Sequence, residues 1–101
     1  MKYTINNIHF NNKAEIKNYY KSIFNSYRRQ EILSPQDLAD VFHLLKNHPN
    51  YAEKTEKGIN HIKVDWKEWN NNAFWIVHDD GDQTSFSYPT CISAVKKNKE
   101  L

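Results

Sequence analysis

A run of aromatic and aliphatic residues between positions 16 and 27 recurs at helical spacing. Residues three and four apart share one side of an α-helix, so this run gives a helix a single apolar face. Asn12 can cap the first turn, and Glu15 lies three residues later, at the spacing of a capping box. The pattern predicts a first helix from Asn12 to about residue 29. Its apolar face comprises Ile16, Tyr19, Tyr20, Ile23, Phe24 and Tyr27.

A second helix is predicted to begin at Ser34. Serine is a good N-cap, Pro35 suits the first helical position, and Asp37 lies near the positive end of the helix dipole. The side chains expected to be buried are Leu38, Val41, Phe42, Leu44 and Leu45.

The stretch after the second helix is predicted to be a loop. His48-Pro49 should end the helix, because proline disfavours helical geometry in the residue before it. Residues 50–58 are predicted as a charged connection that closes at Gly58.

A short β-hairpin is predicted from Tyr3 to Phe10. Asn6-Asn7 can form its two-residue turn, because asparagine tolerates positive φ angles. Tyr3, Ile5, Ile8 and Phe10 flank that turn and supply its apolar positions.

Three further strands are predicted in the second half of the chain. Ile62, Val64 and Trp66 alternate with polar residues, which indicates a half-buried strand. After a turn at residues 70–72, an apolar run at 73–77 pairs with residues 83–88 across the turn at 79–82.

The last predicted element is a short helix that begins at Pro89, with Ile92 and Val95 facing inward. Lys96, Lys97 and Lys99 then lie near its negative end. The resulting order, approximately ββααβββα, predicts an α+β fold: an antiparallel sheet with two longer helices and a short C-terminal one. At 101 residues, the chain is expected to form a single domain over positions 1–101.

Composition excludes several classes of protein. The single cysteine, Cys91, rules out an internal disulfide framework and a metal site built on several cysteines. No apolar run approaches the ~18 residues of a membrane span, and none follows Met1 and Lys2 as a signal sequence would. Two glycines, Gly58 and Gly81, are too few for a glycine-rich phosphate loop. We therefore expect a cytoplasmic protein with no cofactor and no membrane partner.

Charge is unevenly spread along the chain. Residues 1–36 contain six basic and two acidic side chains, whereas residues 37–82 contain five lysines and nine acids. Residues 83–101 add three lysines and one glutamate, for a formal net charge of +2 overall. If the two basic ends meet in space, they can form one positive face.

The candidates for chemistry are few. His78 precedes Asp79, Asp80 and Asp82, and these could form a small cation site or simply an ordinary turn. We favour the turn, because adjacent strand residues point to opposite faces. His43 and His48 are interpreted as packing or capping groups. Cys91 in the first turn of a helix could be a nucleophile, but a buried small side chain is the better interpretation. We predict that the protein is not an enzyme.

A basic row offers a binding surface. Phosphate contacts need such charges, and neighbouring aromatic side chains can stack on bases. The predicted nucleic-acid-binding residues are Lys13, Lys17, Lys21, Arg28 and Arg29, together with Lys96 and Lys97. Lys63 and Lys67 lie close in sequence to Trp66 and Trp69. The alternative for the lysines is a solvated helix face, and the alternatives for the two tryptophans are core packing or a protein-binding hot spot.

Over most of residues 10–95 the sequence resembles the DCL (defective chloroplasts and leaves) domain family, a domain of unknown function. The ordered set that resembles the family pattern is Leu44, Leu45, His48, Pro49, Lys54, Gly58, Ile59, Phe74, Trp75, Asp80, Gly81, Phe86, Ser87, Tyr88, Cys91 and Ile92. The chain departs from the pattern at Glu56, His78 and Ser85, which replace a common glycine, arginine and acid.

The resemblance implies a non-enzymatic module that associates with nucleic acid, RNA rather than DNA. Plant members are linked to plastid ribosomal RNA processing, a similar domain ends the largest subunit of plant silencing RNA polymerases, and compact members resemble bacterial and phage proteins. The alternative is a protein-interaction or regulatory module that docks on a nucleic-acid machine. It would use the acidic residues Asp79, Asp80 and Asp82, or an exposed Trp69.

Overall fold

The computed structural model describes residues 2–98, so the predicted position of Lys99 lies outside the described residues. The elements follow one another as β1 (Tyr3–Ile5), β2 (Ile8–Phe10), α1 (Lys13–Asn25), α2 (Pro35–Leu45), α3 (Tyr51–Thr55), β3 (His61–Glu68), β4 (Asn71–Val77), β5 (Gln83–Phe86) and α4 (Tyr88–Ala94). The predicted α+β class is confirmed, and the predicted order ββααβββα matches apart from one additional short helix, α3. No helix in the described part of the chain is both long and apolar enough to cross a membrane.

Helix α3 is the element that the sequence did not predict. It lies in the stretch 50–58, which was expected to be a charged connection, and it has only five residues. Only Tyr51 of this helix packs against the core. A helix with one inward side chain leaves no apolar periodicity in the sequence, which explains the omission.

Helix α1 begins as predicted but ends earlier. The Asn12 side chain accepts a hydrogen bond from the Glu15 amide at 2.9 Å, and the Glu15 carboxylate accepts one from the Asn11 amide at 3.0 Å. The helix ends at Asn25 rather than near residue 29. The chain then turns to pair with the edge of β3, where the Gln30 amide donates to the Val64 carbonyl at 2.7 Å. Edge pairing therefore replaces the last helical turn.

Helix α2 has the predicted N-terminus. The Ser34 hydroxyl accepts a hydrogen bond from the Asp37 amide at 3.2 Å, and Pro35 occupies the first turn. The helix ends at Leu45, before the His48-Pro49 step that was expected to stop it.

The sheets are antiparallel. Strands β1 and β2 form the predicted hairpin, with φ angles of 51° at Asn6 and 64° at Asn7. Strands β3, β4 and β5 form a three-stranded sheet in that order. One face of this sheet is buried against the helices and presents Ile62, Val64, Phe74, Ile76 and Phe86.

Trp66 was expected to continue the buried face of β3, but half of its surface is exposed (50%). Its cross-strand partner is the polar Asn72 rather than a core residue. The expectation is wrong because β3 extends past the core at its hairpin end.

A buried carboxylate connects three elements of the core. Asp40 on α2 is 2% exposed. Its oxygens accept hydrogen bonds from the Asn6 amide group at 2.6 Å and the Tyr19 hydroxyl at 2.7 Å. The Tyr20 hydroxyl donates to the Asp40 carbonyl at 3.0 Å. Asp40 thus ties α2 to α1 and to the turn of the β1–β2 hairpin.

Candidate nucleic-acid interface

The predicted lysines of α1 line one side of that helix. Lys17 and Lys21 are exposed, while Lys13 in the first turn is half-buried. The Lys13 ammonium group donates to the carbonyl oxygen of Ser93 at 2.7 Å. This contact joins α1 to α4 across 80 positions of sequence.

The two ends of the described part of the chain meet. The Asn98 amide donates to the carbonyl of Lys2 at 2.7 Å, and the Lys2 amide donates to Phe10 at 3.1 Å. Lys96 and Lys97, which directly precede Asn98, are exposed. We name as the basic face the six lysines carried by the segments that these contacts join: Lys2, Lys13, Lys17, Lys21, Lys96 and Lys97.

Acidic side chains collect elsewhere, around α3 and the β4–β5 turn. Glu53, Glu56 and Asp82 line a cleft there with Lys57. Lys57 forms ion pairs with Asp82 and, at 3.6 Å, with Asp80, and these hydrogen bonds and charges raise the pKa of Lys57. The charge segregation seen along the sequence is therefore also present in space.

Arg28 and Arg29 do not belong to the helical row. Because α1 ends at Asn25, both lie in the following loop, about 20 Å of helix length from Lys13. The Arg29 guanidinium donates to the Asn72 side chain on β4 at 2.7 Å. The predicted first helix, which ran to about residue 29, included both arginines, and that part of the prediction is wrong.

The glycines of the family pattern have structural roles. Gly58 has a φ of 81°, and a Cβ there would lie 2.1 Å from a carboxylate oxygen of Asp79. Gly81 has a φ of 91° in the turn that also contains Asp80, with open space around it. Both glycines allow the backbone to turn at the same end of the three-stranded sheet.

His78 is held by both ring nitrogens. Nδ1 lies 2.7 Å from the Gly58 carbonyl and Nε2 lies 2.7 Å from the Thr84 hydroxyl, and the residue is 4% exposed. Within residues 2–98 there is no group of three or more His, Cys, Asp or Glu side chains that could hold a metal ion. Through these two contacts, His78 joins the end of β4 and the start of β5 to the loop at Gly58.

The middle of the family pattern is also structural. The Lys54 ammonium group donates to the Ser85 carbonyl at 2.8 Å, and burial together with the nearby Lys54 charge lowers the pKa of His48. The His48 ring, ahead of Pro49, accepts a hydrogen bond from the Asn50 amide at 3.0 Å.

Cys91 is fully buried, and burial raises the pKa of its thiol to about 12. Its thiol therefore stays protonated at neutral pH, as the buried interpretation predicted.

The remaining histidine candidate packs against an aromatic ring. His43 is half-buried on α2, with its ring centroid 5.8 Å from that of Phe42 in an edge-on arrangement. This agrees with the packing role predicted for it.

The aromatic part of the family pattern borders a cavity of about 330 Å³, which we name the aromatic pocket. Phe74 and Phe86 are buried and stack at a centroid distance of 5.6 Å. Tyr88 and Phe24 are half-buried, and their centroids lie 5.4 Å apart. The hydroxyl of Ser87, which also borders the cavity, accepts a hydrogen bond from the Thr90 amide at 3.4 Å and caps α4.

The mouth of the aromatic pocket contains two asparagines that sequence reasoning did not assign to a site, and Lys67, which it noted only for its position beside Trp66. Lys67, Asn71 and Asn72 border it. The run of three asparagines after Trp66 and Lys67 was interpreted only as a turn. Lys63 differs from Lys67, because Lys63 is paired with Asp65 at 2.9 Å.

Comparison with known proteins places these features in a family. A family described as "Protein of unknown function (DUF3223)" matches residues 21–92. The chain is 35% identical over 78 residues to DNA-directed RNA polymerase IV subunit 1 of Arabidopsis thaliana, a match that covers 76% of this chain and 5% of that subunit. The chain thus spans only a small fraction of its relative.

A solved structure shares the fold. The solution NMR structure of an uncharacterized protein from Rhodospirillum rubrum superposes with a TM-score of 0.80 at 32% identity, covering 86% of this chain and 84% of the other. The match over residues 21–92 includes α2, the three-stranded sheet and most of α4, and it takes in the aromatic pocket. The chain belongs to the DUF3223 family of proteins of unknown function.

Proposed function

We propose that the protein is a non-enzymatic nucleic-acid-binding protein, with RNA as its ligand, and that the basic face makes the contact. The supporting observation is the meeting of the two chain ends, through the bonds from Lys13 to Ser93 and from Asn98 to Lys2. These bonds support the proposal because they join segments that are distant in sequence and that carry exposed lysines. Clustered lysines attract phosphates and release condensed counterions on binding.

The relatives support the same proposal. One of them is a subunit of a DNA-directed RNA polymerase, an enzyme that handles nucleic acid. The resemblance to the DCL family adds a link to ribosomal RNA processing, and we propose that the DUF3223 match and the DCL resemblance describe the same domain. The buried free thiol of Cys91 suits a reducing compartment, which fits the cytoplasmic location that we propose.

The proposal is tested by titrating the protein with a structured RNA and with duplex DNA at low salt. We expect binding of both to weaken steeply as salt is added, and RNA to bind more tightly. Lys17→Glu should lower RNA affinity by about tenfold, because it replaces an attractive charge with a repulsive one. Lys46→Glu is the matched control, since Lys46 is exposed at the C-terminal end of α2 and is not one of the lysines of the basic face. No binding of either nucleic acid would overturn the proposal.

A second candidate function is docking on a protein partner, and one observation favours it. Trp69 is 85% exposed at the tip of the β3–β4 hairpin, and exposed tryptophans are frequent anchors of protein interfaces. This candidate predicts a stoichiometric protein partner from the native host that the wild-type chain retains and Trp69→Ala releases. Retention by both chains would contradict it.

A further inference from the structure

The aromatic pocket has the size and lining of a site for a small planar group. Its volume of about 330 Å³ lies within the range of small-molecule sites. The half-buried rings of Phe24 and Tyr88 line it together with the buried rings of Phe74 and Phe86. Aromatic walls favour a flat ring, which they can contact by stacking or edge to face.

The mouth of the pocket presents amide groups and cationic side chains. Asn71 is exposed there and offers an amide group with both donor and acceptor atoms. Lys67 is exposed and borders the cavity, and Arg29 is held at its edge by the bond to Asn72. The residues that border the cavity include no aspartate or glutamate.

An exposed tryptophan stands beside the pocket. Trp66 is the cross-strand partner of Asn72, and such partners have Cβ atoms about 5 Å apart on the same face of a sheet. The indole N–H of Trp66 donates to the Trp69 carbonyl at 2.5 Å. The bond fixes the ring while half of its surface remains open.

We propose that the aromatic pocket binds one unpaired nucleobase of a single-stranded RNA. Trp66 stacks on the neighbouring base, and Lys67 and Arg29 contact the phosphates on either side. The amide groups of the mouth contact the base edge, as in other proteins that bind single strands. A peptide side chain would fill the aromatic space but has no phosphate for the two cations. This inference rests on the proposed function and narrows its ligand to the single-stranded form.

The first experiment probes the pocket without an oligonucleotide. A nucleoside 5′-monophosphate is added to the isotope-labelled protein, and backbone amide shifts are followed by NMR. We expect shifts at Asn71, Phe86 and Ser87 and none at Phe42 on α2. Ribose 5-phosphate, which lacks the base, is the control and should leave Phe86 unmoved. Equal shifts from both compounds, or none at these amides, would overturn the proposal.

The second experiment compares a single-stranded RNA with a duplex of the same length. We expect the wild-type protein to prefer the single strand, and Trp66→Ala and Lys67→Glu each to weaken single-strand binding by about tenfold. Both side chains are exposed, so the fold should persist. Lys46→Glu makes the same change of charge outside the pocket and should leave the preference intact.

The outcomes separate the two proposals. Binding of both RNAs without preference, and unaffected by Trp66→Ala, would overturn the pocket assignment while the basic face remained the binding surface. Absence of any RNA binding at low salt would overturn both.

Discussion

Gly58 illustrates how one residue can set the geometry of an entire end of the sheet. Its positive φ allows the chain to turn from α3 toward β3, and its missing side chain lets Asp79 approach. The His78 ring then reaches the Gly58 carbonyl at 2.7 Å. In the sequence Gly58 looks like an ordinary loop residue, but in the structure it is a position where a side chain would collide with Asp79.

Gly58 and Gly81 form a matched pair for testing this role. Both have positive φ, but only at Gly58 would a Cβ meet another atom within 4 Å. Gly81→Ala should lower the free energy of unfolding by about 1–2 kcal/mol, the cost of the left-handed conformation. Gly58→Ala adds a steric clash and should lower it by about 3–4 kcal/mol. Urea denaturation measures both; equal losses would show that Asp79 moves away without cost.

At the scale of elements, the sequence predicted where the helices begin better than where they end. Asn12 and Ser34 cap their helices as their sequences indicate, because an N-cap depends on residues three positions away. The end of α1 depends on a partner more than thirty positions away, since Gln30 bonds to Val64. Nothing near Asn25 in the sequence contains that information.

The N-cap of α2 offers the prediction at this scale. Ser34→Ala removes the acceptor for the Asp37 amide and should lower the free energy of unfolding by about 1 kcal/mol. Ser34→Thr retains a hydroxyl and should stay within about 0.5 kcal/mol of the wild type. Thermal and urea unfolding of the three proteins provide the measurement. If alanine and threonine behave alike, the cap does not stabilise α2.

At the scale of the whole molecule, the candidate sites depend on contacts that no local pattern reveals. The sequence showed basic ends, but their meeting depends on the bond from Lys13 to Ser93 and on the packing of α4 against α1. The aromatic pocket likewise combines Phe24 of α1 with Lys67 of the hairpin and Tyr88 of α4. The sequence could identify many of these residue types as candidates, but not which of them share a surface.

The basic face makes a quantitative prediction about salt. Each phosphate contact on a single strand contributes a slope of about −0.7 to the dependence of log affinity on log salt concentration. If α1 and the C-terminal end act as one surface, Lys17→Ala with Lys21→Ala should reduce the slope by about 1.4. Lys96→Ala with Lys97→Ala should reduce it by a similar amount.

The four substitutions together should then reduce the slope by about 2.8, because each phosphate contact releases its own counterions on binding and each substitution removes one contact. Lys46→Ala with Lys57→Ala, which removes the same charge away from the basic face, is the control and should leave the slope unchanged. A C-terminal pair that behaves like this control would restrict the binding surface to α1. In that case the meeting of the chain ends would stabilise the fold and have no part in binding.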